Sequence, residues 1–240
     1  GKAVNVDQRG NITAYQHGSH GIFAQSVGGG GGTGGVGAIG FTGTVGIGGT
    51  GGASGNGGIV NVTANGNIDT YGGAGYGVFA QSVGGGGGVG GNVDRGLANS
   101  LNIGIGVGII HNSGNGGNGG EVEVTGEGVI HTRGEGSTGI FAQSAGGGGG
   151  IAGDQNGWGV AGSAGGNGSG DRIAVDWTGR ILTEGAKAHG IFAQSAGGTE
   201  TTVYVYDKDG NRTAQTLQRR QNLGQDVSVT VRGDVIASGA

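Results

Sequence analysis

Gly21-Ile22-Phe23-Ala24-Gln25-Ser26 returns as Gly77-Val78-Phe79-Ala80-Gln81-Ser82, Gly139-Ile140-Phe141-Ala142-Gln143-Ser144 and Gly190-Ile191-Phe192-Ala193-Gln194-Ser195. A phrase repeated in this way marks an internal repeat array. Each copy closes a block of 23 residues without insertion or deletion: 4–26, 60–82, 122–144 and 173–195. The connections 27–59, 83–121, 145–172 and 196–226 contain 33, 39, 28 and 31 residues. Constant blocks with variable connections are expected to stack in register while the connections project from the stack. A further, partial block spans 227–240, and both ends of the chain read as cut from a longer array. Bare ends of such a stack expose unpaired backbone groups, so end-to-end self-association or fraying is expected.

Within each block the apolar residues alternate with period 2, the strand signal. Val4/Val6, Val60/Val62, Val122/Val124 and Ile173/Val175 form a first run; Gly10, Gly66, Gly128 and Gly179 follow, then Ile12, Ile68, Ile130 and Ile181, and last the Phe-Ala-Gln-Ser run. Three short strands separated by Gly and Asn corners match one coil of a parallel β-helix. The expected fold is all-β: an elongated right-handed parallel β-helix, or β-solenoid, with glycine-rich side excursions. A helical repeat fails, because interior Gly costs about 1 kcal/mol relative to Ala and no i, i+3, i+4 stripe is present.

Alternation also assigns faces. Ile22, Ala24 and Ser26 are expected to point inward and Phe23 and Gln25 outward, the opposite orientation being the alternative. Stacking then creates a column of Phe23, Phe79, Phe141 and Phe192, which the glycine-rich connections are expected to cover, since bare backbone approaches an aromatic ring closely. Gln25, Gln81, Gln143 and Gln194 form a second column. Amides stacked on parallel in-register strands bond to one another, which accounts for their recurrence without a ligand. Ser26, Ser82, Ser144 and Ser195 lack a neighbouring base, and four equivalent copies point to structure over a nucleophile.

Seventy of 240 residues are Gly, with no Pro and no Gly-X-Y period, which excludes collagen. A formal charge of −4 and alternating Val and Ile oppose disorder. Aromatics make up only 5% of the chain, so the core must be narrow and built from Val, Ile, Ala and Thr. The absence of Cys removes disulfide and thiolate chemistry. No apolar stretch approaches the ~20 residues of a membrane helix, and the start of the chain lacks a signal-peptide core. Lys and Arg total 12, too few and too scattered for phosphate-backbone binding, so nucleic acid is not an expected partner.

Three connections open with pentaglycine, at 28–32, 84–88 and 146–150. Such runs read by default as flexible linkers, yet each is attached at the same place and is followed by alternating stretches, clearest over Leu101 to Ile109 and weaker over 39–47 and 158–164. The connections either stack as a side lobe, complete a second coil per repeat, or pack as extended polyglycine helices. The fourth connection carries Thr202-Val203-Tyr204-Val205-Tyr206 before Asp209-Gly210, a hairpin signal. With Tyr204, Tyr206, Arg219 and Arg220 it is the candidate for individual recognition.

Chemical motifs are negative. Glycine abundance makes G-x-G-x-x-G matches unavoidable, and no phosphate-binding P-loop occurs. In Gly165-Gly166-Asn167-Gly168-Ser169-Gly170-Asp171 the Asp arrives one position late for a calcium nonapeptide. The five His show no metal spacing. Asp69 is followed in its column by His131 and Leu182, so stacking accumulates no acidic cluster for glycoside hydrolysis. No catalytic residue, metal or cofactor is expected. Sequons at Asn11, Asn61, Asn167 and Asn211 carry meaning only in a eukaryotic secretory route.

The phrase Gly-Ile-Phe-Ala-Gln-Ser followed by Val-Gly-Gly-Gly-Gly-Gly resembles repeats in the passenger regions of large autotransporter-type adhesins of Gram-negative bacteria. The resemblance spans nearly the whole chain, most closely in the first three repeats, since the fourth lacks the pentaglycine. It implies an extended cell-surface β-solenoid exported by an outer-membrane translocator outside this chain. A structural and adhesive role toward host-cell or neighbouring-cell surface molecules would follow. The rivals are a carbohydrate-active β-helix enzyme and a recognition module centred on 199–222.

Overall fold

A computed structural model describes residues 1–31, 37–38, 54–86, 93–94, 108–109, 115–147, 159–160, 168–197, 202–206, 212–216 and 224–238. Among them there is no helix. The first block contributes β1 (Val4–Arg9), β2 (Ile12–Ala14) and β3 (Ile22–Val27), and its connection holds β4 (Gly37–Ala38). The second contributes β5 (Val60–Asn65), β6 (Ile68–Thr70) and β7 (Val78–Val83), followed by β8 (Val93–Asp94) and β9 (Gly108–Ile109). In the third and fourth blocks the first two runs merge, giving β10 (Val122–Thr132) and β11 (Ile140–Ala145), then β12 (Gly159–Val160), β13 (Ile173–Thr183) and β14 (Ile191–Ala196). The hairpin β15 (Thr202–Tyr206) and β16 (Arg212–Thr216) precedes β17 (Val227–Arg232) and β18 (Val235–Ala237).

Two parallel sheets carry the blocks. One runs β1-β5-β10-β13-β17, joined by β2, β6 and β18; the other runs β14-β11-β7-β3. Register is residue for residue: Val4 opposite Val60, Val60 opposite Val122, Val122 opposite Ile173 and Ile173 opposite Val227. In the second sheet Phe23, Phe79, Phe141 and Phe192 face one another in turn. Equal block length makes this possible, because a slip of one residue would turn every apolar side chain outward.

The core lies between the sheets. Val60, Val62, Ile68 and Val78 from one block, and Val122, Val124, Ile130 and Ile140 from the next, are at most 1% exposed, each contributing about 1.5–3 kcal/mol by burial. Ile22, Ala24 and Ser26 point inward and Phe23 and Gln25 outward, as alternation predicts. The turn after the first strand requires positive φ, between 100° and 147° at Gly10, Gly66, Gly128, Gly179 and Gly233. That explains the repeated glycine, since side chains rarely adopt this conformation.

The inward Ser column fastens the third strand to the chain entering the same and the next block. Ser26 Oγ donates to Lys2 O (2.8 Å) and accepts from Gly58 N (2.9 Å); Ser82 Oγ donates to Gly58 O and accepts from Gly120 N, both at 2.8 Å. Ser144 and Ser195 accept from Asp171 N and Gln225 N. A buried hydroxyl with both roles satisfied is structural.

The glycine connections begin with a backbone zipper. Gly55 N donates to Gly29 O, Gly85 N to Gly55 O, Gly117 N to Gly85 O, Gly147 N to Gly117 O and Gly168 N to Gly147 O, at 2.7–3.0 Å. Departing limbs (29, 85, 147) alternate with returning limbs (55, 117, 168), so each connection closes on itself at its base. A Cβ at Gly28, Gly84 or Gly146 would strike the carbonyl of its own returning limb, at Gly55, Gly117 or Gly168. Close backbone packing is therefore present in these neck residues. Farther out, β4 pairs with β8 and β9 with β12, both parallel, so equivalent stretches of successive connections pair with each other. The remainder of the stretches 39–47, 101–109 and 158–164 lies outside the described residues.

Candidate functional site

The outward face of the second sheet carries two columns that each repeat one side chain through all four blocks, Phe and Gln. Phe23, Phe79, Phe141 and Phe192 stack with centroids 4.7, 4.8 and 5.0 Å apart and planes within 6°. Parallel strands place identical residues one strand spacing apart, about 4.8 Å, which sets the ring spacing. Phe23 is 54% exposed, whereas Phe79, Phe141 and Phe192 are partly buried; most of the connection residues expected to cover the column lie outside the described residues.

A second aromatic column flanks the first at the preceding corner. His20 stacks on Tyr76 at 5.1 Å and on Phe23 at 5.4 Å; Tyr76 leans on Phe79 and Phe141 at 5.4 and 5.6 Å; His189 meets Phe192 at 6.1 Å. His20 Nδ1 accepts the Tyr76 N–H at 3.1 Å, which requires that nitrogen to be unprotonated. Burial also holds the imidazole below its ordinary value.

On the other side of the Phe column runs the amide ladder. Gln25 Nε2 donates to Gln81 Oε1 (2.5 Å), Gln81 to Gln143 (2.6 Å) and Gln143 to Gln194 (2.7 Å). An amide has two donor hydrogens and two acceptor lone pairs. The ladder uses one of each at Gln81 and Gln143, leaving the other N–H and lone pair for solvent or a partner. The repeated face is thus a neutral strip, with rings beside amides.

A different chemistry occupies the outward face of the second strands. Tyr15 stacks on Tyr71 at 5.3 Å, and the Arg133 guanidinium lies 4.1 Å over the other face of Tyr71. Arg133 donates to Asp69 Oδ1 (3.2 Å) and to His131 Nδ1 (2.7 Å), so the ring proton of His131 sits on Nε2, which faces Glu184 Oε1 at 2.9 Å. Two carboxylates thus flank one imidazole, Glu184 arriving from the next column. Asp69 is paired with Arg133, while Glu184 lies 2.9 Å from His131 Nε2, a buried nitrogen that makes no hydrogen bond. Among the described residues no group of His, Asp and Glu could hold a metal ion.

The hairpin forms as predicted, with Tyr204 opposite Ala214 and Tyr206 opposite Arg212 in antiparallel register. Arg219 and Arg220 lie outside the described residues. The sequence reading missed Tyr15, Tyr71, Arg133 and Glu184 as a column; aligning every position of the 23-residue block, including those that do not repeat, would have assembled it. Comparison with protein-family models, with curated proteins and with solved structures finds no match to this chain.

Proposed function

We propose that the blocks wind as a right-handed parallel β-helix and that the chain is a non-catalytic structural and adhesive segment of a Gram-negative autotransporter passenger. It would be exported across the outer membrane and act at the cell surface. The outward-facing, stacked Phe23–Phe192 column beside the Gln ladder carries this reading. A strip with no charge and outward-facing rings suits broad, distributed contact with host-cell or neighbouring-cell surfaces. Display outweighs reach: Gln–Gln rungs are separated by 51 to 62 residues of chain, yet each rung adds only about 4.8 Å of height.

The test is adhesion of protein-coated beads to cultured cells and to bacterial cells. Replacing Phe23, Phe79 and Phe141 by Thr should reduce bead attachment at least about tenfold, as expected when anchoring aromatics are removed, with the circular-dichroism spectrum unchanged. Unaltered attachment by that variant, with loss on deleting 199–222, would transfer the role to the hairpin.

A further inference from the structure

Tyr15 and Tyr71 follow the second strands of the first two blocks and are held in line by the Tyr71 N–H, which donates to Ala14 O at 2.9 Å. Their rings lie 5.3 Å apart with planes 19° from parallel. Both are open to solvent, 69% exposed at Tyr15 and 45% at Tyr71. The chain has neither Cys nor Met, the side chains whose sulfur intercepts oxidants first. Tyr76 has His20, Phe79 and Phe141 as ring neighbours, so among Tyr15, Tyr71 and Tyr76 the Tyr–Tyr ring pair is Tyr15–Tyr71.

We infer that this pair is an oxidative cross-linking site, at which hydrogen peroxide and a peroxidase join the first block to the second through a dityrosine bond. Each phenol loses one electron and one proton, placing radical density on the ring carbon ortho to oxygen. The two ortho carbons bond, and the hydrogens they carried move to the phenolic oxygens, restoring aromaticity. Two tyrosines lose two hydrogens in total; peroxide accepts the two electrons and two protons and becomes two waters. Parallel register keeps both rings at equal depth, one strand spacing apart. Arg133 lies against Tyr71 at 4.1 Å. The product staples residues 56 positions apart, tying the first rung to the stack. This reaction does not depend on the adhesive reading of the Phe strip.

Linked groups experience effective concentrations near millimolar, so at about 1 μM protein the pair should couple about a thousandfold faster than separate chains. The experiment oxidises the full chain with peroxidase and peroxide and reads intact mass, dityrosine fluorescence and the linked peptides. A monomer lighter by two hydrogens, with residues 15 and 71 in one linked peptide, is the expected result. Tyr15→Phe and Tyr71→Phe should each lower monomer-borne dityrosine by more than about tenfold; guanidinium before oxidation should act likewise. The double change Tyr204→Phe, Tyr206→Phe should leave it unaltered. Dityrosine found only between chains, mapped to another pair, or retained in Tyr15→Phe overturns the inference.

Discussion

Replacing Trp177 by Ala should destabilise the third and fourth blocks by about 3–5 kcal/mol, the range for emptying a large buried aromatic site. Trp177 is fully buried, and its Nε1 donates to Gly128 O at 3.2 Å. Its ring occupies space that Gly126 leaves on the adjacent rung: a Cβ at Gly126 would come within 2.7 Å of Trp177 Cζ3. The next residue in that column is Ala64, so no long side chain can swing in to fill the void. Because rungs contact only their neighbours, the loss should stay local. At about 1.4 kcal/mol per decade, amide exchange in Val122–Thr132 and Ile173–Thr183 should quicken roughly 10²- to 10³-fold or more. Hydrogen exchange read by mass spectrometry would show a much smaller change in Val4–Arg9, two rungs beyond β10. Trp177→Phe keeps most of the ring and should lose less. Acceleration below about tenfold, or an equal increase in every block, would refute both the cavity argument and the nearest-neighbour argument.

Two further outcomes follow from the neck and the aromatic corner. Gly117→Ala drives a Cβ into the Gly55 carbonyl and should cost about 1–3 kcal/mol as overpacking; Gly86→Ala, which meets nothing within 4 Å, should stay within about 0.5 kcal/mol, both read from urea unfolding. His20 has a folded pKa below its ordinary 6.5, so the unfolded chain takes up the proton first as pH falls. The stability this group contributes is therefore fully present above 6.5 and declines as pH drops from there through the folded value. Exchange protection of Ile22–Val27, corrected for intrinsic rate, should fall between about pH 7.5 and 5.5, and His20→Phe should flatten that dependence; an identical slope in the variant would assign the effect elsewhere.

What the sequence disclosed was whatever repeats in the same column. Ile over Val, Phe over Phe, Gln over Gln and Ser over Ser were visible because parallel in-register pairing places equivalent positions together. Trp177 was not visible: its column reads Gln8, Ala64, Gly126, Trp177, Val231, and only volume compensation between rungs explains the Trp. The neck zipper was hidden for another reason. Pentaglycine composition is the same for a loose linker and for limbs packed backbone to backbone, and the difference lies in which limb returns beside which.

The repeated phrase contains no charged residue, and the register explains why. A charge repeated in one column would face its copy about 4.8 Å away on each side, costing about 1–3 kcal/mol per rung at effective dielectric constants of roughly 80 to 20. Neutral Phe, Gln, Ser, Ile and Gly can recur without that penalty, and Phe and Gln gain from it through stacking and amide bonding. Among the described block residues charges sit in columns that change identity from rung to rung, and opposite signs meet within one column, Glu121 with Arg172, or between columns of adjacent rungs, Glu135 with Lys187, Asp176 with Arg232 and Asp69 with Arg133. The same constraint separates two kinds of recognition on one molecule. A partner that reads the repeated strip must do so through rings and amides, whereas a partner selected by charge has to contact the columns that vary or the connections.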